Sequence, residues 1–235
     1  MYIYDRPFSA PRGLGAENDV LHGLGKRPEV ASPATPTEVK QLTEEITTLA
    51  QRNAWSGVDR TYKALESKGE QAFDLIPKGL TSAADIHMKG AAAADVLGEM
   101  KLKQTRLWRA LKSMENAGVR IDDQIFKDTI NSLDAIEKAN GSVYITPRTE
   151  PKSEKERKRL KGRGPELTRV QQPGEQLYAP DQLRSVETAA KVIRETGYFD
   201  GLLPAGSYML AGESFTVNAG TELRGKKRAT IPWGN

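Results

Sequence analysis

Two pairs of adjacent carboxylates, Glu44 with Glu45 and Asp122 with Asp123, are the first groups in this chain to consider for acid–base work. Catalysis by such a pair needs carboxyl groups held away from water beside a convergent partner. These four residues fall at helix starts or on exposed helical faces, where capping and the helix dipole account for them. The two histidines, His22 and His87, lie far apart, and neither has a second ligand at metal-binding spacing. Cysteine is absent, which removes thiolate nucleophiles, disulfides, zinc–thiolate sites and iron–sulfur clusters together. Gly13-Leu14-Gly15 and Gly23-Leu24-Gly25-Lys26 have the composition of phosphate loops. Neither follows a strand or opens a helix, and the full nucleotide fingerprints are missing. No catalytic, cofactor-binding or metal-ligating residue is assigned, and a non-enzymatic role is expected.

The groups that remain are suited to binding. Net charge is +4 over 235 residues, yet residues 152–163 hold seven basic and two acidic side chains and residues 224–228 hold four basic ones. The rest of the chain is therefore net negative, and the positive charge sits in two segments. Clustered Lys and Arg neutralise phosphates and release counterions, which makes Arg157, Lys158, Arg159, Lys161, Lys226, Lys227 and Arg228 the candidates for gripping nucleic acid. Residues 152–163 carry no aromatic to stack on bases, and a solvated charge run is the commoner meaning of such a segment. Aromatic anchors lie elsewhere. Tyr2, Tyr4 and Phe8 stand in an arm with no sustained period, and Trp233 ends the chain in Ile231-Pro232-Trp233-Gly234-Asn235 with no element around it to bury it. These four are the candidates for partner binding. Trp55 and Trp108 lie at helical positions where core packing is the default.

The elements that must position these groups follow from period and punctuation. Residues 1–35 form a Pro- and Gly-rich arm. Thr35-Pro36-Thr37-Glu38 is a capping box with proline at the first helical position, and Val39, Leu42, Ile46 and Leu49 recur at helical spacing. A second helix from about Ser56 carries Val58, Tyr62 and Leu65 and stops at Gly69. Thr81 or Ser82 caps a third with a small-residue stretch over residues 90–94, which permits close packing. A fourth carries Leu107, Leu111 and Met114 and stops at Gly118. A fifth, capped by Asp122 or Asp123, carries Ile125, Phe126, Ile130, Leu133 and Ile136. Aligning the stop glycines pairs Val58 with Leu107, Arg60 with Arg109, Tyr62 with Leu111, Lys63 with Lys112, Leu65 with Met114 and Glu66 with Glu115, an internal repeat of helix pairs.

Residues 36–141 thus read as a short helical-repeat, α-solenoid-like domain. Trp55, Gly57 and Tyr62, with this repeat of pairs, resemble the tetratricopeptide-repeat class in a degenerate form. That resemblance implies a helical groove that holds protein partners.

After Gly141 the period changes to two. Ser142-Val143-Tyr144-Ile145-Thr146 reads as a strand, residues 148–173 as a basic connection without a core of its own, and Pro180-Asp181 as the start of a helix with Leu183, Val186, Ala190 and Ile193 inward. Gly212-Glu213 is expected as a two-residue hairpin loop that pairs Leu210 with Phe215 and Tyr208 with Val217. The run Leu203-Pro204-Ala205-Gly206-Ser207-Tyr208-Met209-Leu210 looks like the PEGA-type small β-domain, a resemblance that implies a bacterial interaction module, commonly at the envelope. Residues 142–222 are then a small α+β domain and residues 223–235 a basic tail.

The expectation is a mainly α chain with a small α+β carboxy-terminal part and extended arms. Its expected role is a structural or adaptor subunit that binds other protein subunits or copies of itself. Nucleic-acid association through residues 152–163 and 224–228 is the alternative. No run of about 18 apolar residues occurs, and no signal peptide is visible. The expected location is cytoplasmic or within a large assembly, with the envelope open to a mature form.

Overall fold

The first helix begins where its capping chemistry places it. In the computed structural model, which describes residues 34–76, 82–149, 151, 153–170, 178–220 and 229–234, α1 (Pro36–Gln51) opens on a complete capping box. The Glu38 amide donates to Thr35 Oγ1 at 3.3 Å and the Thr35 amide to Glu38 Oε2 at 3.0 Å. Such a cap is worth about 1 kcal/mol. α2 (Trp55–Glu66), α4 (Ala83–Val96), α5 (Met100–Asn116) and α6 (Gln124–Ala139) follow, with a four-residue helix α3 (Gln71–Asp74) that carries no sequence signal of its own. Ser82 caps α4 through the Asp85 amide. Asp123 occupies the cap position of α6, and its carboxylate instead accepts from the Arg120 amide.

α1 packs on α2, α2 on α4, α4 on α5 and α5 on α6. Val58, Tyr62 and Leu65 of α2 and Leu107, Leu111 and Met114 of α5, the positions that the sequence repeat equates, are all buried. The small-residue stretch acts at one point in particular. A Cβ on Gly90 would lie 2.6 Å from the Tyr62 ring, so the ring rests directly on the backbone of α4. Ile125 departs from expectation and is 52% exposed, because Phe126, Thr129, Leu133 and Ile136 hold the inner face of α6.

α6 passes into β1 (Asn140–Pro147) without a loop. β1 pairs antiparallel with β3 (Phe199–Pro204) and parallel with β6 (Ala229–Trp233). A second three-stranded sheet has the order β2 (Leu167–Val170), β4 (Gly206–Leu210), β5 (Glu213–Val217). The chain turns from β3 into β4 at Ala205, so the segment expected to feed a hairpin forms the corner joining the two sheets. That corner is latched by two phenols, Tyr178 O–H donating to Ala205 O and Tyr208 O–H to Pro204 O, each at 2.8 Å.

The hairpin itself turns one residue earlier than its sequence suggests. Ala211 and Gly212 form the loop, with φ of 53° and 85°, because a two-residue loop of this twist needs positive φ at both positions. Tyr208 therefore faces Phe215, and Leu210 faces Glu213. The partner slips by two residues, which keeps Tyr208, Leu210, Phe215 and Val217 on one face. The Tyr208 and Phe215 rings stack at 5.6 Å.

The basic connection is more structured than its composition suggests. It holds α7 (Glu154–Leu160) and the strand β2, whose Leu167 enters the core. Helix α8 (Pro180–Thr196) packs on β2 and β3 and buries Ser185, Ala189 and Ile193, while Leu183 is 47% exposed rather than inward. Strand β3 is buried towards both sides. Leu202 joins the helical core of Leu107, Met114 and Leu133, and Leu203 joins the β core of Val143, Ile145 and Tyr208. Lys101 of α5 reinforces that junction through Asp200 at 2.8 Å. The fold is mainly helical with a small α+β part, and no helix among the described residues is long and apolar enough to cross a membrane.

Candidate functional site

The most concentrated chemistry lies where α2, α4 and α5 meet. Arg106 is fully buried on α5. Its guanidinium donates to Gly90 O at 2.8 Å, pairs with Asp59 Oδ1 at 2.8 Å and lies 4.2 Å from the centroid of the Tyr62 ring. Asp59, 7% exposed, takes a second cation on its other oxygen, Lys63 Nζ at 2.9 Å, one helical turn along α2. Tyr62 Oη meets His87 Nδ1 at 2.7 Å, and the His87 ring packs on Phe73 at 4.4 Å. Arg109, paired with Glu66, closes the network towards solvent.

The electrostatics follow from burial. Desolvation, assisted by the positive charge of Arg109 and Arg106, pushes the His87 imidazole down to about 3. Desolvation pushes the Tyr62 phenol up to about 12. The ring is therefore neutral and the phenol protonated across the physiological range. A neutral imidazole has one acceptor nitrogen, and with Arg109 presenting positive charge to the phenol oxygen, the Tyr62 O–H is left to donate to Nδ1. Tyr62, Arg106 and His87 are each at most 3% exposed. Apart from Arg106 Nε, which has no hydrogen-bond partner among the described residues, the contacts recorded for these groups run between α2, α4 and α5, an arrangement that fixes helix positions.

Among the described residues no group of three or more His, Asp or Glu side chains is placed to hold a metal ion. A depression of about 180 Å³ lies between the hairpin and β6, lined by Leu210, Glu213, Ser214, Phe215, Ile231 and Pro232. It contains none of the network residues.

Only some of the residues singled out in the sequence fall among the described residues. Tyr2, Tyr4, Phe8, Lys226, Lys227 and Arg228 lie outside the described residues, and so do the side chains of Arg157 and Arg159. Lys158 and Lys161 are exposed, and Lys158 reaches Glu154 at 3.0 Å. Trp233 is a correction. Residues 229–233 form a strand rather than a free tail, and Trp233 packs half-buried in the β core with its indole N–H donating to Gly197 O at 2.7 Å. Its anchor is its own chain. Trp55 and Trp108 pack against the helical cores, as their positions imply.

Sequence reading missed Asp59, Arg106 and His87. The available signal was weak: Arg106, immediately before Leu107 in α5, shares a face with Ala110 rather than with solvent, and Asp59 sits between Val58 and Tyr62.

Two apolar side chains remain on the surface at the end of the helix stack, Ile121 at 67% exposed and Ile125 at 52%. Ile121 precedes α6 and Ile125 lies in its first turn. Comparison with protein-family models, with curated proteins and with solved structures finds no match for this chain.

Proposed function

We propose that this chain is a non-enzymatic structural or adaptor subunit of a multi-protein assembly, which binds its neighbours through the surface of its helical layers and through the arm bearing Tyr2, Tyr4 and Phe8. The observation that carries this reading is the exposed pair Ile121 and Ile125 at the start of the last helix in the stack. In a stack of helix pairs each helix covers its neighbour, and the terminal one has no successor on its outer side. Apolar side chains kept there cost solubility unless another surface covers them. The buried network supports the same reading, because it holds the stack as a rigid platform.

The test recovers the tagged chain from its source as wild type, as Ile121→Glu with Ile125→Glu, and with residues 1–32 removed, and compares subunit stoichiometry and melting temperature. Both variants are expected to melt as the wild type does and to be lost from a discrete assembly. Normal incorporation of both would refute the proposal.

A further inference from the structure

The basic segment is not a free linker. After α7 the chain docks on the carboxy-terminal turn of α8, with the Gly162 amide donating to Glu195 O and the Gly164 amide to Arg194 O, both at 3.0 Å. The contact is close enough that a Cβ on Gly164 would fall 1.7 Å from Ile193 O. Solvation alone requires no such pinning. Its effect is to hold the exposed Lys161 and Arg163 at the end of a helix that exposes Lys191 and Arg194, with the exposed Lys155 and Lys158 on α7 just before them in the chain. Between residues 153 and 163 there are six basic and two acidic residues. Glu154 and Glu156 of α7 and Glu195 of α8 are exposed as well, and Glu154 pairs with Lys158.

We propose that this docked surface grips the phosphate backbone of duplex nucleic acid. The chemistry selects the partner. Protein interfaces need an apolar centre and deplete charge there, and among the described side chains none of the large exposed apolar ones, Leu75, Val96, Ile121, Ile125, Leu183 and Met209, lies in residues 153–163 or on the last turn of α8. Phosphates need only positioned cations. No aromatic lies between residues 153 and 163, so the basic segment itself carries no stacking platform of the kind single strands use. Binding is accordingly to backbone, without base preference and steeply dependent on salt. This activity is additional to the adaptor role and independent of Ile121 and Ile125.

The test is fluorescence anisotropy of the full chain with a short fluorescein-labelled duplex DNA of mixed sequence, from about 50 to about 200 mM NaCl, a range over which four phosphate contacts lose about a hundredfold in affinity. Lys155→Gln, Lys158→Gln, Lys161→Gln and Arg163→Gln are combined in one variant. A control combines Lys40→Gln, Arg52→Gln, Lys112→Gln and Lys127→Gln, which removes the same charge from exposed positions on the helical layers. The first variant is expected to flatten the slope of log affinity against log salt by about 3 to 4, while the control keeps the wild-type slope. Failure of the duplex to bind at about 50 mM salt would overturn the proposal, as would equal losses in both variants. Tighter binding of polyglutamate than of duplex, through the same four residues, would assign the surface to an acidic protein and overturn it as well.

Discussion

Replacing Asp59 by Asn changes almost no volume and removes the carboxylate that pairs with the buried Arg106. Breaking a buried ion pair from one side costs about 3 to 5 kcal/mol, because the remaining charge is left uncompensated. Here the Gly90 carbonyl and the Tyr62 ring still hold the guanidinium. A desolvated cation–π contact is worth about 2 kcal/mol, so the lower end, about 3 kcal/mol, is expected. For a folded body of this size that is a fall in melting temperature of roughly 6 to 12 °C. Urea unfolding at neutral pH reports it through tryptophan fluorescence, since Trp55 and Trp108 pack against the two helical cores. The companion variant Asp59→Leu with Arg106→Met removes both charges and is expected to lie near the wild type, so the pair shows strong non-additivity. A cost below about 1 kcal/mol for Asp59→Asn, or a double variant as unstable as the summed singles, would refute the account of Arg106 as a buried ion held by its partner.

Two further outcomes follow from the same geometry. An unfolded imidazole takes a proton near 6.5, whereas the folded His87 resists until about 3. The unfolded chain therefore binds more protons over that window, and His87 makes stability fall as pH drops from about 6.5 towards about 3. His87→Phe should lose less stability than the wild type between pH 7 and about pH 4.5 in urea titrations; parallel losses would contradict this. Trp233→Phe keeps an aromatic side chain but removes the donor to Gly197 O together with part of the ring packed on the β core, with an expected cost of at least about 1 kcal/mol. An unchanged unfolding midpoint would return Trp233 to the role of a free docking group.

What was legible in the sequence was local. The capping box at Thr35, the stop glycines and the apolar stripes of α2 and α5 are set within a few residues, and the structure places them as their chemistry dictates. Arg106 and Asp59 are far apart in the chain, and only the packing of both α2 and α5 on α4 makes a pair of them. Sequence reading assigns either residue to the surface by default. Strand β6 hid for a similar reason. It pairs with β1 in parallel, Ile231 beside Ile145, and carries Pro232, a residue that strands tolerate at an edge, which is where β6 lies. β2 spans four residues inside a charged stretch, too few for alternation to declare itself. The hairpin loop was misplaced by one residue because glycine was weighed and Ala211 was not, although the turn asks both positions for positive φ.

Strand β3 carries a consequence for how the chain lives and dies. Because Leu202 fills the helical core while its neighbour Leu203 fills the β core, neither part can be excised cleanly at the end of α6. A helical fragment ending at Ala139 would keep a vacancy where Leu202 sits and lose the partner of Lys101, and the complementary fragment would present Leu202 to water. Two layers that share a strand in this way melt together, so a protease that nicks the loop side of either one meets a chain still held by the other.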